Sequence, residues 1–516
     1  MTMQTLLAVP AARTRPAVAA RLSVFGLFCL LALALTAVCP IAPMDDFLNH
    51  LARMHLLFDE RDGAPSPYYQ SAWALYPNLA MDLTVPMLAR WTGVERAAQI
   101  FLALSQILIV GGAAALELAV KRRFDYAGFV ALLLLYSIPF AWGFANFQFG
   151  CGLALCGVAA WIALRETHPA LRLAIHGAFV AALFVSHLVA LGVYGFTLGV
   201  LELHRAAMRR STARATASAL ALLAAPAVAA ATVMVLSAGA VGHPGNDWDW
   251  PHKPVWPVAA LNGYSLPLSA VGFGLLAWIV LRLRAQGALR LHPGGGALAG
   301  SFLLLYLATP QILRDTAFVD VRVAVAAFLI LPALVSFEIS DAVWRRRVPL
   351  ALAALLLVNF AFTARLWLGY RRDYAQIVAS FALLRPESKI LVAASENGSP
   401  LDAPELAPMT HAPTLAAHYA KALVTTVMAT PGKQPLIPRP GFERLNSQDS
   451  GPVFVDDLRR IAAGAPAPAY LRDWFGDYDY LYVVGAPRDN PLPGSLSEIE
   501  RRERYALYRI VKPARE

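Results

Sequence analysis

The chain has 516 residues, 58% of them hydrophobic and 15% charged, with a mean hydropathy of +0.51. A soluble surface cannot cover that much apolar matter, so a water-soluble globular protein is excluded and a polytopic membrane protein is expected. The formal net charge of +10 does not point to nucleic acid, because the basic residues gather at the ends of apolar runs, as the positive-inside rule requires.

Apolar runs of about 15 to 22 residues place spans near 21–39, 97–119, 126–143, 146–164, 172–186, 188–204, 216–237, 265–284, 297–311, 320–338 and 348–368, roughly eleven helices. With Arg13, Arg15 and Arg21 cytoplasmic, the clusters Lys121-Arg122-Arg123, Arg165 to Arg172, Arg205 to Arg214, Arg282 to Arg290 and Arg345-Arg346-Arg347 all fall on the cytoplasmic side. Asp45, Asp46, Asp59, Glu60, Asp62, Asp82, Asp247, Asp249, Asp315 and Asp320 fall on the other. This register depends on reading Arg172 to Leu203 as two short helices that meet at Ser186-His187. A cleaved signal peptide is not expected, since the first apolar run is long and no small-x-small site precedes the acidic cluster cleanly. The four cysteines, Cys29, Cys39, Cys151 and Cys156, lie in or at the ends of spans and form neither a disulfide framework nor a CxxC motif.

The expected architecture is an all-α polytopic membrane domain over 1–369, with a first outer loop at 40–96, followed by an extracytoplasmic α/β domain over 370–516. In the latter, a helix from about Tyr374 to Leu384 precedes strands at Lys389–Ala394, Tyr480–Val484 and Tyr505–Val511, with a proline-rich loop at Pro431 to Pro440. The stretch Tyr76 to Trp91 is apolar but broken by Pro77, Asp82, Pro86 and Arg90, and reads as an interfacial or re-entrant part of the first outer loop.

The chemistry concentrates just beyond the first span, in Asp45-Asp46-Phe47-Leu48-Asn49-His50-Leu51-Ala52-Arg53. Phe47, Leu51, Met54 and Phe58 recur at helical spacing, while Asp46, Asn49, His50 and Arg53 fall on another face. This predicts an interfacial amphipathic helix whose polar stripe lines a cavity. Carboxylates beside hydrocarbon are costly, which makes the pair a site candidate; the alternative is that Asp45 caps the helix while Asp46 and Arg53 are merely solvated. A late loop carries Arg314, Asp315, Asp320 and Arg322, either cations for a phosphate or ion pairs that orient helix ends. His187 interrupts an apolar region, as a ligand-facing group or a helix-bonding one. Asn146-Phe147-Gln148 offers amides for sugar hydroxyls, or a cap at Asn146. Asn246-Asp247-Trp248-Asp249-Trp250 sets aromatic faces beside carboxylates, which suits sugar binding and equally suits interface anchoring. His411 and His418, seven residues apart, read as loop or surface residues rather than a metal site. No GxxxxGK[ST], GxSxG or HExxH motif occurs.

Pro43-Met44-Asp45-Asp46 followed by Asn49-His50-Leu51-Ala52-Arg53, many further spans and a C-terminal outer domain resemble the GT-C superfamily of integral-membrane glycosyltransferases, in particular bacterial members that use polyprenyl-phosphate sugars. The resemblance implies inverting sugar transfer from a lipid-phosphate donor to an envelope glycan or lipid acceptor in the bacterial inner membrane, on its extracytoplasmic face. It implies Asp46 or Asp45 as general base, with a divalent cation (Mg or Mn) on the same pair as a further option. Arg322, Arg314 and His187 then become donor-phosphate ligands, and Asn49, His50, Arg53, Asp247 and Trp248 substrate contacts. A transporter or flippase of envelope precursors, or a non-catalytic envelope-assembly protein, are the competing classes; the chain shows no clear internal repeat of the transporter kind.

Overall fold

The structure is a computed structural model that describes residues 15–75, 77–166, 169–237, 245–313, 316–395, 407–447, 449–485 and 489–512. Before the C-terminal region its helices are, in chain order, α1 (Arg15–Val38), α2 (Phe47–Arg61), α3 (Ala80–Thr92), α4 (Val94–Lys121), α5 (Ala127–Leu133), α6 (Ile138–Ala141), α7 (Ala145–Ala163), α8 (Pro169–Ser186), α9 (Leu188–Met208), α10 (Ala213–Ser237), α11 (Val255–Val258), α12 (Leu266–Ala285), α13 (Gly295–Ala308), α14 (Val319–Ile330) and α15 (Ala342–Ser380). Among the described residues seven helices, α1, α4, α7, α8, α9, α12 and α15, are long and apolar enough to cross a membrane, and α10 and α13 contain shorter apolar helices. The protein is a multi-pass membrane protein.

Two of the expected spans take other forms. The 126–143 run is broken into α5, a turn and α6. At the break Gly263 packs so closely on Ser137 and Ile138 that a Cβ would lie 2.7 Å from the Ile138 Cα. The Gly263 amide donates to the Tyr136 carbonyl, which satisfies backbone freed by the turn before Pro139. The 320–338 run is helical only through Ile330; Pro332 sits in a 3-10 turn, and Val335–Phe337 pairs as a strand with Leu289–Leu291. The junction at Ser186-His187 does separate two helices: His187 is extended, and its ring Nδ1 accepts from the Val189 amide to cap α9.

The last span does not stop at the membrane. α15 continues through position 370 to Ser380, so the separate helix expected at Tyr374 to Leu384 is its C-terminal extension. Beyond it lies a six-stranded sheet in the order Leu496–Arg501, Tyr505–Ile510, Tyr480–Val484, Lys389–Ala394, Leu423–Val424, with Val453–Phe454 also paired to Lys389–Ala394. Tyr480–Val484 runs parallel to Lys389–Ala394 and antiparallel to Tyr505–Ile510. All five residues of Tyr480–Val484 are buried, the continuous apolar pattern of a central strand.

This domain is stitched to the first loop after α1. Leu436–Pro438 pairs antiparallel with Tyr69–Ser71, and the Tyr69 hydroxyl donates to the Val424 carbonyl at 3.0 Å while accepting from its amide at 3.1 Å. As a result α2 is buried on every side from Phe47 to Leu57. The expectation of an interfacial helix whose polar stripe lines an open cavity is therefore corrected: the C-terminal domain covers that stripe.

Candidate active site

The tandem aspartates are fixed through their backbone. The Asp45 amide donates to the Ala141 carbonyl at 2.9 Å and the Asp46 amide to the Trp142 carbonyl at 3.1 Å. Gly143, at φ +85°, closes the turn; a Cβ there would meet the Phe47 and Asp46 amide nitrogens at 2.7 and 2.8 Å, an approach that glycine alone permits. Neither carboxylate caps α2: Asp46 occupies the N-cap position without accepting a side-chain hydrogen bond there. Both carboxylates are left for other work.

Their surroundings differ. Asp45 has a buried Oδ1 with no hydrogen-bond partner among the described residues; burial is the largest influence on its carboxyl and pushes it up to about 7, with Asp46 adding to the rise while His411 and Thr410 oppose it. Asp46 is the more open, with 27% of its side chain exposed, and its Oδ1 lies 3.5 Å from Nε2 of His411. His411, which the sequence placed on a loop or surface, thus arrives at the pair from the far domain. Burial works against charging its ring, but the hydrogen bond to Asp46 and the charges of both aspartates prevail and raise its proton affinity.

Asn49 fixes which His411 nitrogen faces the aspartates. Its Oδ1 accepts from the Met428 amide at 2.7 Å, and its Nδ2 donates to the Thr426 carbonyl at 2.6 Å and to Nδ1 of His411 at 3.2 Å. The neutral ring then carries its hydrogen on Nε2, directed at Asp46. One oxygen from each aspartate and a His411 nitrogen lie within 4.8 Å of one another. Two carboxylates suit a hard divalent cation; His411, with hydrogen on Nε2, fits as a hydrogen-bond donor rather than a third ligand.

Two other members of the α2 polar stripe are spent on structure. Arg53, 1% exposed, makes a two-point ion pair with Asp82, Nε to Oδ1 at 2.6 Å and Nη2 to Oδ2 at 3.1 Å. Its Nη2 also reaches Nδ1 of His50 at 3.0 Å. Burial first, then the Arg53 charge, pulls His50 down to about 4, so it stands neutral. Asn49, His50 and Arg53 thus belong to the seam between domains.

Arg322 lies on the other side of the same turn. It is 5% exposed, its guanidinium sits 4.0 Å over the Phe144 ring and 5.7 Å from that of Phe147, and Asp46 is among the charges that act on it. Among the described residues it has no carboxylate partner, and its Nε is buried with no acceptor. Nη1 faces Nε2 of His187 at 3.4 Å, but Nδ1 of His187 already accepts from Val189, so the neutral ring carries its hydrogen on Nε2 and offers Arg322 no lone pair there. The Asp320–Arg322 pairing weighed from the sequence does not form; Asp320 instead meets Lys253 at 2.9 Å. Lys253, buried within an aromatic loop, had no signal among the sequence motifs.

The remaining candidates lie apart. Asp247 and Trp248 are exposed; Asp247 stands in a short strand paired with Ile312–Leu313, and the Trp248 indole donates to the Ala308 carbonyl at 3.3 Å. Among the described residues no hydrogen bond or ion pair connects either one to the aspartates. Arg314 and Asp315 fall outside the described residues. Asn146 clamps the turn before α3, donating to the Asn78 carbonyl and accepting from the Met81 amide, both at 2.7 Å.

No family model matches the chain, and no curated protein matches it either. Among solved structures it is similar to ArnT from Cupriavidus metallidurans in the apo state, with a TM-score of 0.51, 15% identity, and coverage of 95% of this chain and 98% of that one. The same protein bound to undecaprenyl phosphate aligns with a TM-score of 0.47 and 16% identity over 94% and 97% of the two chains. The chain has the fold of that apo structure over nearly its whole length.

Proposed function

We propose that the protein is an inverting membrane glycosyltransferase that moves a sugar from a polyprenyl-phosphate donor to a hydroxyl of an envelope glycan or lipid. The observation that carries this reading is the turn 141–147, which holds Asp46 by backbone hydrogen bonds at one end and Arg322 against Phe144 at the other. A carboxylate and an unpaired buried cation in electrostatic reach of each other match the two charges of such a transfer. Asp46 accepts the acceptor's hydroxyl proton as the new carbon–oxygen bond forms. Arg322 faces the donor phosphate and takes up the negative charge left as the anomeric carbon–oxygen bond breaks and the lipid phosphate departs. Asp45, neutral for much of its time near pH 7, limits repulsion on Asp46, and the Nε2–H of His411 orients the Asp46 carboxylate. A Mg2+ or Mn2+ ion held by Asp45 and Asp46 would add neutralising charge. The basic helix ends at the opposite face support an extracytoplasmic site, a cytoplasmic N-terminus and a bacterial inner-membrane location.

The test is a mass-spectrometric comparison of envelope glycans from cells carrying the intact gene, no gene, or Asp46→Asn. A sugar-bearing species present only with the intact gene is expected, with in vitro transfer by Asp46→Asn falling roughly 10²- to 10⁴-fold. Unchanged glycans in the gene's absence would sink the reading, and precursor uptake into proteoliposomes that survives Asp46→Asn would replace it with transport.

A further inference from the structure

At the face opposite the aspartates, one length of α9 away (about 30 Å for its 21 residues), the helix ends enclose a cavity of about 430 Å³. Its wall is divided by chemistry. Val120 of α4, Ile162 of α7, Leu201 of α9 and Leu334 form an apolar side. Arg122, Arg165, Arg205, Arg209, His204 and His292 form the polar side, with Glu166 the only carboxylate lining it among the described residues.

The positive-inside rule alone accounts for basic residues at this face, but solvated topogenic charges have no reason to gather round one partly apolar hollow, where they repel one another. Glu202, just behind the wall, already serves three cations: Arg172 at 3.1 Å, Arg165 at 3.5 Å and Arg205 at 3.7 Å. Arg122 and Arg209 have no carboxylate partner among the described residues. Arg122 also holds a left-handed conformation at φ 55° as the C-cap of α4, where a side chain of its size is uncommon. The cluster is short of anions.

We propose that this cavity binds the phosphate group of an anionic membrane lipid, with Arg122 and Arg209 on the phosphate and the hydrocarbon along Val120, Ile162 and Leu201. A basic pocket between helix ends at the cytoplasmic face is the chemistry that anionic headgroups select, and the guanidinium fork matches phosphate oxygens in pairs. A free phosphate fills only the polar half and leaves the apolar wall to solvent. The site is separate from the aspartates and does not depend on how they are used.

The experiment takes the full-length protein in detergent and measures binding of phosphatidylglycerol, phosphatidylcholine and inorganic phosphate by native mass spectrometry and thermal shift. Phosphatidylglycerol should bind and raise the unfolding midpoint, and phosphatidylcholine should not. The double variant Arg122→Gln/Arg209→Gln should bind about thirtyfold more weakly, while Glu166→Gln, which removes the carboxylate that repels phosphate, should bind more tightly. Opposite shifts from the two variants separate a lost ligand site from a damaged fold. Equal response to inorganic phosphate keeps the phosphate site and assigns it to a free anion. Equal binding by wild type and the double variant, or no preference for phosphatidylglycerol over phosphatidylcholine, overturns the proposal.

Discussion

Asp320 gives its carboxylate to Lys253 at 2.9 Å and so leaves Arg322, two positions later, without a carboxylate among the described residues. A buried cation with an orphaned Nε is a cost to folding, and sites of this kind persist where a ligand supplies the missing charge.

Replacing that cation with an apolar side chain should therefore separate stability from function. Arg322→Met is expected to be more stable than wild type when no lipid phosphate is present, by about 1–4 kcal/mol, and, if the proposed function holds, a polyprenyl phosphate should raise the unfolding midpoint of the wild type and not of the variant. Differential scanning fluorimetry with and without the lipid reads both. A variant less stable than wild type would mean that Arg322 is already satisfied within the protein.

Asp45 gives a pH dependence with a definite sign. Its folded carboxyl is raised from 3.8 to about 7 by burial, so between those values the folded chain holds a proton that the unfolded chain has released. The stabilisation is complete below about 3.8 and fades as pH rises through about 7. Asp45→Asn should flatten the unfolding midpoint across this window, and the same slope in variant and wild type would contradict the assignment.

The ion pair of Arg53 and Asp82 should behave as a structural one. Arg53→Met leaves a fully buried carboxylate without its partner and should cost about 3–5 kcal/mol, whereas Arg53→Met with Asp82→Leu should recover much of that. Molecules that do fold should keep wild-type kcat. If kcat collapses in the well-folded double variant, Arg53 contacts substrate after all.

What could be read from the sequence was what local pattern encodes. The helix pair meeting at His187 followed from run length and charge, and three sheet strands from short apolar runs and flanking turns. The neighbourhood of Asp46 and Arg322 followed only from placing both at one membrane face. The broken 126–143 crossing was hidden because a hydropathy window cannot register the close approach of Gly263, more than a hundred residues away. His411 was set aside because spacing within its own loop says nothing about carboxylates at the other end of the chain. Lys253 was missed for the same reason: its partner Asp320 lies 67 positions on. The polar face of α2 looked like a cavity lining because its cover, the segment around Thr426, is remote in sequence.

Asn49 grips backbone groups 377 and 379 positions downstream, which has a bearing on biogenesis. As the nascent chain leaves the ribosome, α2 is delivered early with its polar side bare, and it stays so until the polypeptide has been made as far as Met428 of its 516 residues. His411 reaches Asp46 in that same late event. A chain clipped before His411 would hold every helix from α1 to α15 yet leave the aspartates without their histidine, so maturation of the aspartate centre is timed by synthesis and docking of the C-terminal domain rather than by formation of the bundle.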